Sequence, residues 1–209
     1  VARVFGYETG RLADRPVSYP NTRAMCAPIG DGAAALIVCS HSYLASLPQA
    51  VRRRAIRVAG SALTSGIYRE PAEPGLSSVA AARAYEQAGI GAQQIDVAEV
   101  HDATSFSELY QLEMLGFCPL GSSGEFTAAG ETSLGGSIPV NLSGGLVSRG
   151  HPVGATGLMM LHDIAEQLRG EAGPRQVSGT RYGLVENGGG VIGFEEAACA
   201  VTILEGPSQ

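Results

Sequence analysis

His151 stands between Gly150 and Pro152 in the run Gly144 to Gly157, GGLVSRGHPVGATG, directly after VNLS and directly before a helical pattern. Imidazole is the side chain best suited to moving a proton near neutral pH, and its neutral N–H can donate to an oxygen gaining negative charge. The glycines around it leave backbone N–H groups free to approach a ligand closely. His101 opens the sequence HDATSF fifty positions earlier, and a third glycine-dense segment, Asn187 to Gly190, comes later. All three fall at strand ends or strand-to-helix turns. A single histidine is more often structural than catalytic, but two in such turns point to one shared site for proton transfer.

The other histidines read differently. His41 follows an apolar run beside Ser40, and His162 lies among polar residues of a helix, so both are expected to be structural. No H-x-x-x-H or C-x-x-C spacing accompanies any histidine, which disfavours a metal. GGLVSRG and NGGG match neither GxxxxGK[ST] nor a strand-linked GxGxxG, so nucleotide hydrolysis is disfavoured too.

Positioning these groups requires an α/β fold, with strands alternating with helices throughout and a mixed or largely parallel sheet. Residues 1 to 24 show no period and read as irregular. Asp31 to Ser40 carries the short apolar run AAALIVCS of a buried strand. HSYLASLPQA is loop or short helix, broken at Pro48. Ala55 to Leu63 alternates as a strand. Ser77 or Ser78 is the expected cap of a helix reaching Ala88 and stopped by Gly89. Ile95 to Val100 reads as a strand ending at His101, and Ser105 with Glu108 forms a capping box for a helix running toward Gly116. Ser122 to Gly136 is turn-rich, and Ile138 to Leu142 is a short strand. A helix from Ala155 to Leu168 is stopped by Gly170, and strands follow at Arg181 to Glu186 and Glu196 to Leu204. His101 thus sits at the carboxyl end of a strand, where α/β sheets gather ligand-binding groups.

With 209 residues and 44% hydrophobic content, the chain can bury a sizeable core. A net charge of −6 disfavours a nucleic-acid partner. The cluster Arg52-Arg53-Arg54 reads as a solvated face or, less favourably, a contact to a ligand phosphate. No run of roughly 18 apolar residues marks a membrane span, and the amino terminus lacks the pattern of a signal peptide. The chain opens without Met, so its start reads as a truncation or a processed end. Cys26, Cys39, Cys118 and Cys199 have no paired spacing and fit reduced thiols of a cytoplasmic protein.

Four motifs in this order carry a family resemblance: DGAAALIV, HDATSF, NLSGGLVSRGHPVGATG and ENGGGVIGFEEAACAVTIL. Together they resemble the carboxy-terminal half of a thiolase, most nearly the sterol-carrier-protein-type branch, over residues 25 to 205. The resemblance implies a layered αβαβα sandwich of which this chain supplies mainly the carboxy-terminal half. Residues 1–54 would end the amino-terminal domain and connect it, with Asp31 to Ser40 as its last strand, and 55–209 would be the carboxy-terminal domain. The implied substrate is an acyl-coenzyme A thioester, with no other cofactor and no metal.

By position, His151 resembles the histidine that activates a nucleophilic cysteine and helps hold a thioester oxyanion, and His101 the residue that contributes to the second oxyanion site. Gly189 and Gly190 match the catalytic glycine loop. Substrate contacts are expected at Ser77, Ser143, Gly144, Gly145, Asn187 and Gly188. The nucleophilic cysteine would come from an amino-terminal half or a partner chain, and a homo-oligomer is implied.

The departures open two alternatives. Where this branch has H-D-C-F, the chain has Ala103, and no cysteine stands in Asn187 to Gly190. One alternative is a thiolase-fold lyase making a retro-aldol cut in a β-hydroxyacyl-CoA, with an oligonucleotide-binding-fold partner; the other is a non-catalytic acyl-CoA-binding subunit. Half a sandwich also leaves an apolar face exposed, so the chain is expected to dissolve poorly alone or to be covered by a partner.

Overall fold

A computed structural model describes residues 16–70 and 73–207. Expectations on residues 1–15 lie outside the described residues. The chain opens with a small hairpin, β1 (Pro16–Ser18) and β2 (Asn21–Thr22). Two short helices follow, α1 (His41–Ser46) and α2 (Gln49–Arg52), separated by Leu47 and Pro48. The main body contains β3 (Arg57–Ser65), α3 (Leu76–Ala88), β4 (Val97–Glu99), α4 (Ser105–Met114) and α5 (Ser123–Ala128). It continues with α6 (Gly145–Arg149), α7 (Thr156–Arg169), β5 (Tyr182–Gly189) and β6 (Ala198–Glu205).

Apart from the β1-β2 hairpin, the strands form one four-stranded sheet in the order β3-β6-β5-β4. Only β4 and β5 run parallel; the other two pairings are antiparallel, so the sheet is mixed. Helices cover its faces because alternate strand residues point to opposite sides. One core joins Ala80 and Ala84 of α3 and Leu112 of α4 to Leu184, Val201 and Ile203 of the sheet. The other joins Met160, Ile164 and Leu168 of α7 to Val97, Val185 and Leu204. Small residues set the helix-to-sheet distance: a methyl group at Gly60 would strike the Ala84 carbonyl, and one at Gly183 would strike Ile164. Gly89 (φ 69°) and Gly170 (φ 73°) end α3 and α7 in the left-handed conformation that L side chains avoid.

Several local expectations give way. Residues 31–40 carry no strand pairing, and Ile37 is 98% exposed. An apolar run becomes a strand only when a neighbouring strand accepts its backbone hydrogen bonds, and none of the described strands does so. Residues 138–142 shrink to one parallel bridge, Val140 to Ala98. The cap of α3 is Gly75 rather than Ser77 or Ser78, because Ser77 is buried and Ser78 bonds back to the Gly75 carbonyl. Thr104, not Ser105, caps α4 by accepting from the Ser107 N–H, while Glu108 accepts from Asn141 instead of closing a capping box. The turn-rich stretch after Ser122 contains α5.

Candidate functional site

The parallel pairing of β4 with β5 brings their carboxyl ends together, and the two histidines meet there. His101 lies two residues past β4 and His151 lies between α6 and α7, with ring centroids 5.0 Å apart. His101 is buried at 8% exposure, and His151 is partly exposed.

Their hydrogen bonds assign opposite tautomers. The Gly188 N–H donates to His101 Nδ1 at 3.1 Å, so the neutral ring carries its proton on Nε2. Burial, with the neighbouring His151, lowers the His101 pKa to about 4, and the ring stays neutral at physiological pH. His151 Nδ1 lies 2.8 Å from Thr156 Oγ1, and that hydroxyl donates to the Pro152 carbonyl. The Thr156 oxygen is therefore left to accept from Nδ1–H, which leaves a lone pair on His151 Nε2. Burial lowers the His151 pKa as well. The pair thus presents one N–H donor and one base.

Three devices hold these rings. Asp102 accepts from the Leu146 N–H at 2.7 Å and the Val147 N–H at 3.3 Å, at the start of α6. Its carboxyl also lies against Gly145, where φ is 60° and a methyl group would collide with it. Burial raises the Asp102 pKa to about 6, although both backbone bonds oppose the shift. Glu99, buried at the end of β4, accepts from the Ser143 N–H at 3.1 Å and the Ser143 hydroxyl at 2.6 Å. Burial pushes its carboxyl up to about 7. Arg149 pairs with Asp163 and lies 3.8 Å from Glu99. Finally, residues 26–30 form a strap across both loops. The Ala27 N–H donates to the Ala103 carbonyl at 2.9 Å, and the His151 N–H donates to the Pro28 carbonyl at 2.8 Å. An open cleft of about 330 Å³ is lined by residues 30–34 and by residues 152–155, which follow His151 in the chain.

The other expected site residues spread over several roles. Gly188 spends its N–H on His101, and Asn187 packs against Gly157 with Oδ1 buried and unpartnered. Gly189 has open space where a side chain would be, and its carbonyl accepts from the Ala197 N–H at 3.1 Å. Gly190 takes φ 68° against Ala197. Gly144 lines a pocket between α4, α5 and α6 together with Asp102, Glu108 and Thr127. Ser143 is held by Glu99, and Ser77 of α3 lies buried beside Cys199, which pairs with Gly188 across β5 and β6. Sequence reasoning missed Glu99, Asp102, Thr156 and Glu186. Two of them had a legible signal, since a glutamate inside an apolar strand run is seldom fully buried without a partner.

Comparison with known proteins gives a consistent picture. Residues 70–204 match the family model described as "Thiolase C-terminal domain-like". The chain is 37% identical over 204 residues to sterol carrier protein 2 of Rattus norvegicus, covering 90% of this chain and 37% of that protein. It is 40% identical over 173 residues to an acetyl-CoA acetyltransferase of Methanothermobacter thermautotrophicus, covering 80% of this chain and 44% of that one. The chain thus spans less than half the length of these curated relatives. A solved chain of an "Ltp2-ChsH2(DUF35) aldolase" superposes with a TM-score of 0.75 at 23% identity, over 92% of this chain and 49% of that chain, a likeness of fold.

Proposed function

Because the chain belongs to the thiolase family and carries that family's carboxy-terminal domain, we propose that it acts on acyl-CoA thioesters, in acyl transfer, Claisen condensation or thiolysis. The observation that carries this reading is the pair of complementary tautomers 5.0 Å apart. Chemistry at a thioester builds negative charge on the carbonyl oxygen, and His101 Nε2–H is a prealigned donor for it. One such donor lowers a barrier by about 3 to 4 kcal/mol. His151 Nε2 takes the proton of the attacking group, and the cleft lined by residues 152–155, next in the chain, gives the thioester an approach. In this reading a cysteine nucleophile is supplied by an amino-terminal thiolase half or by a partner chain. The same half covers the exposed apolar residues Ile37, Val38 and Leu63.

One observation favours a second reading, a retro-aldol lyase of β-hydroxyacyl-CoA. Position 103 is alanine, Cys199 is buried with its thiol pushed far up by burial and by Glu186, and Cys26 of the strap donates its thiol to the Thr22 carbonyl. There His151 would take the hydroxyl proton and His101 would hold the enolate oxygen, with an oligonucleotide-binding-fold chain as the partner.

The test is to give the complete enzyme acetoacetyl-CoA with free CoA, and separately a β-hydroxyacyl-CoA without added thiol. Thiolysis of the first supports transfer, and carbon–carbon cleavage of the second supports the lyase. Tight binding of both without turnover points to a non-catalytic binding subunit. A His151→Ala variant that turns over normally sinks both catalytic readings.

A further inference from the structure

Enolate chemistry on a thioester needs a donor for the oxygen and a second group that moves the α-proton at carbon. With His101 on the oxygen and His151 on the nucleophile or hydroxyl, that second role is unfilled, and Ala103 cannot take it. We propose that Glu196, backed by Glu186, is the group that exchanges the α-proton. This rests on the acyl-CoA reading above.

The geometry is built around His101 from two sides. Glu186 is fully buried; one carboxyl oxygen accepts from the His101 N–H at 3.0 Å and the other from the Cys199 thiol at 3.3 Å. Both of its oxygens are thus occupied, and it is sealed from a ligand. Glu196 differs in both respects. It is partly exposed, and its carboxyl makes no hydrogen bond among the described residues. The carboxyl lies directly over Gly188, where any side chain would collide with it. Gly188 is the residue whose N–H fixes His101 Nδ1, and the open backbone of Gly189 is next to it. One acid oxygen of each glutamate and the Cys199 sulfur lie within 4.8 Å of one another.

The loop carrying Glu196 is rigidly placed. Glu195 forms a two-pronged ion pair with Arg69, both bonds 2.7 Å, with side chains only 8% and 5% exposed. Arg69 also bonds Tyr110 of α4 and stacks on Phe194. On the other side, the Ala197 N–H bonds the Gly189 carbonyl, and its own carbonyl accepts from Gly66. Glu196 therefore hangs between two fixed residues, the preorganisation that proton transfer at carbon requires.

The step balances within the site. A carboxylate oxygen of Glu196 takes the α-proton, so C–H breaks and O–H forms. The C–H electron pair becomes the enolate double bond, and the carbonyl π pair moves to the oxygen held by His101 Nε2–H. In reverse the acid returns its proton to carbon, which also completes a retro-aldol cut. Burial raises both pKa values, that of Glu186 further through the nearby Glu196 and that of Glu196 further through Glu195, toward the range where such a group works in either direction. The titratable groups facing Glu196 are Glu186 of β5, Cys199 of β6, Tyr110 of α4 and the Arg69-paired Glu195.

The experiment follows exchange of the α-hydrogens of acetyl-CoA and propionyl-CoA in D2O by proton NMR, using the complete enzyme, with thioester binding measured by calorimetry. Glu196→Gln should slow exchange at least about 100-fold while leaving the thioester Kd within about threefold. Glu196→Asp, which keeps the carboxyl, should recover exchange to within about tenfold of wild type and shift its pH midpoint. Exchange by Glu196→Gln within about threefold of wild type overturns the assignment, as does a loss of exchange matched by an equal loss of affinity. A folded wild-type enzyme that neither binds nor exchanges either thioester overturns the acyl-CoA reading and this assignment together.

Discussion

Replacing Asp102 separates the scaffold of the site from its chemistry. Its carboxylate accepts the Leu146 N–H at 2.7 Å, on a residue with no exposed surface, and the Val147 N–H at 3.3 Å, on a partly exposed one. In Asp102→Ala the first N–H is left buried without an acceptor, at a cost of about 1.5–3 kcal/mol for a bond to a charged group. The second is longer and can turn to water, so it adds only about 0.5–1 kcal/mol. The expected loss is about 2–4 kcal/mol in urea denaturation of the complete protein. Asp102→Asn keeps one acceptor oxygen for Leu146 and loses the weaker bond, for a loss of about 1 kcal/mol. Because α6 leads through Gly150 into His151, the alanine variant should also lower kcat more than it raises KM. If Asp102→Ala is as stable and as active as Asp102→Asn, the loop is held by other contacts and the argument fails.

Thr156→Val removes the oxygen that accepts His151 Nδ1–H while keeping the side chain's shape; activity should fall about 10- to 100-fold, and nitrogen NMR should show His151 leaving its single tautomer. An unchanged imidazole spectrum would refute that assignment. Arg69→Leu strands the buried Glu195 charge and should cost about 3–5 kcal/mol, with most of it recovered in the double variant with Glu195→Leu; a single variant within about 1 kcal/mol of wild type contradicts the anchor. Glu99 supplies a pH signature. Its folded pKa is raised from 4.5 to about 7, so its contribution is fully present below the unfolded value and is lost as pH rises from 4.5 through about 7. The stability of wild type relative to Glu99→Gln should therefore decline over that window by up to about 3 kcal/mol, read by urea titrations at several pH values. A flat difference would mean that Glu99 is ionised in the folded protein at all these pH values.

What could be read from the sequence divides by the range of the forces involved. The alternation of strands and helices, and the stops at Gly89 and Gly170, depend on apolar spacing and on a residue's own backbone freedom, and both appear as expected. The caps failed because a serine's bonding is decided by what it faces: Ser77 turned inward beside Cys199, and Glu108 found Asn141, 33 positions away. The run at 31–40 failed for the opposite reason, since its apolar pattern asks for a strand partner that the described residues do not contain. His101 and His151 come together as expected because turns at parallel strand ends converge, which is a rule of topology rather than of local sequence. The groups that hold them were not found, because Glu186 reaches His101 across 85 positions and the strap at residues 26–30 has no motif of its own. Yet Glu99 and Glu186 stand in apolar strand runs, AEV and LVEN, where an unpartnered carboxylate would cost several kcal/mol. Each such glutamate implies a donor brought from elsewhere in the chain, and here those donors are the two loops that carry the histidine pair.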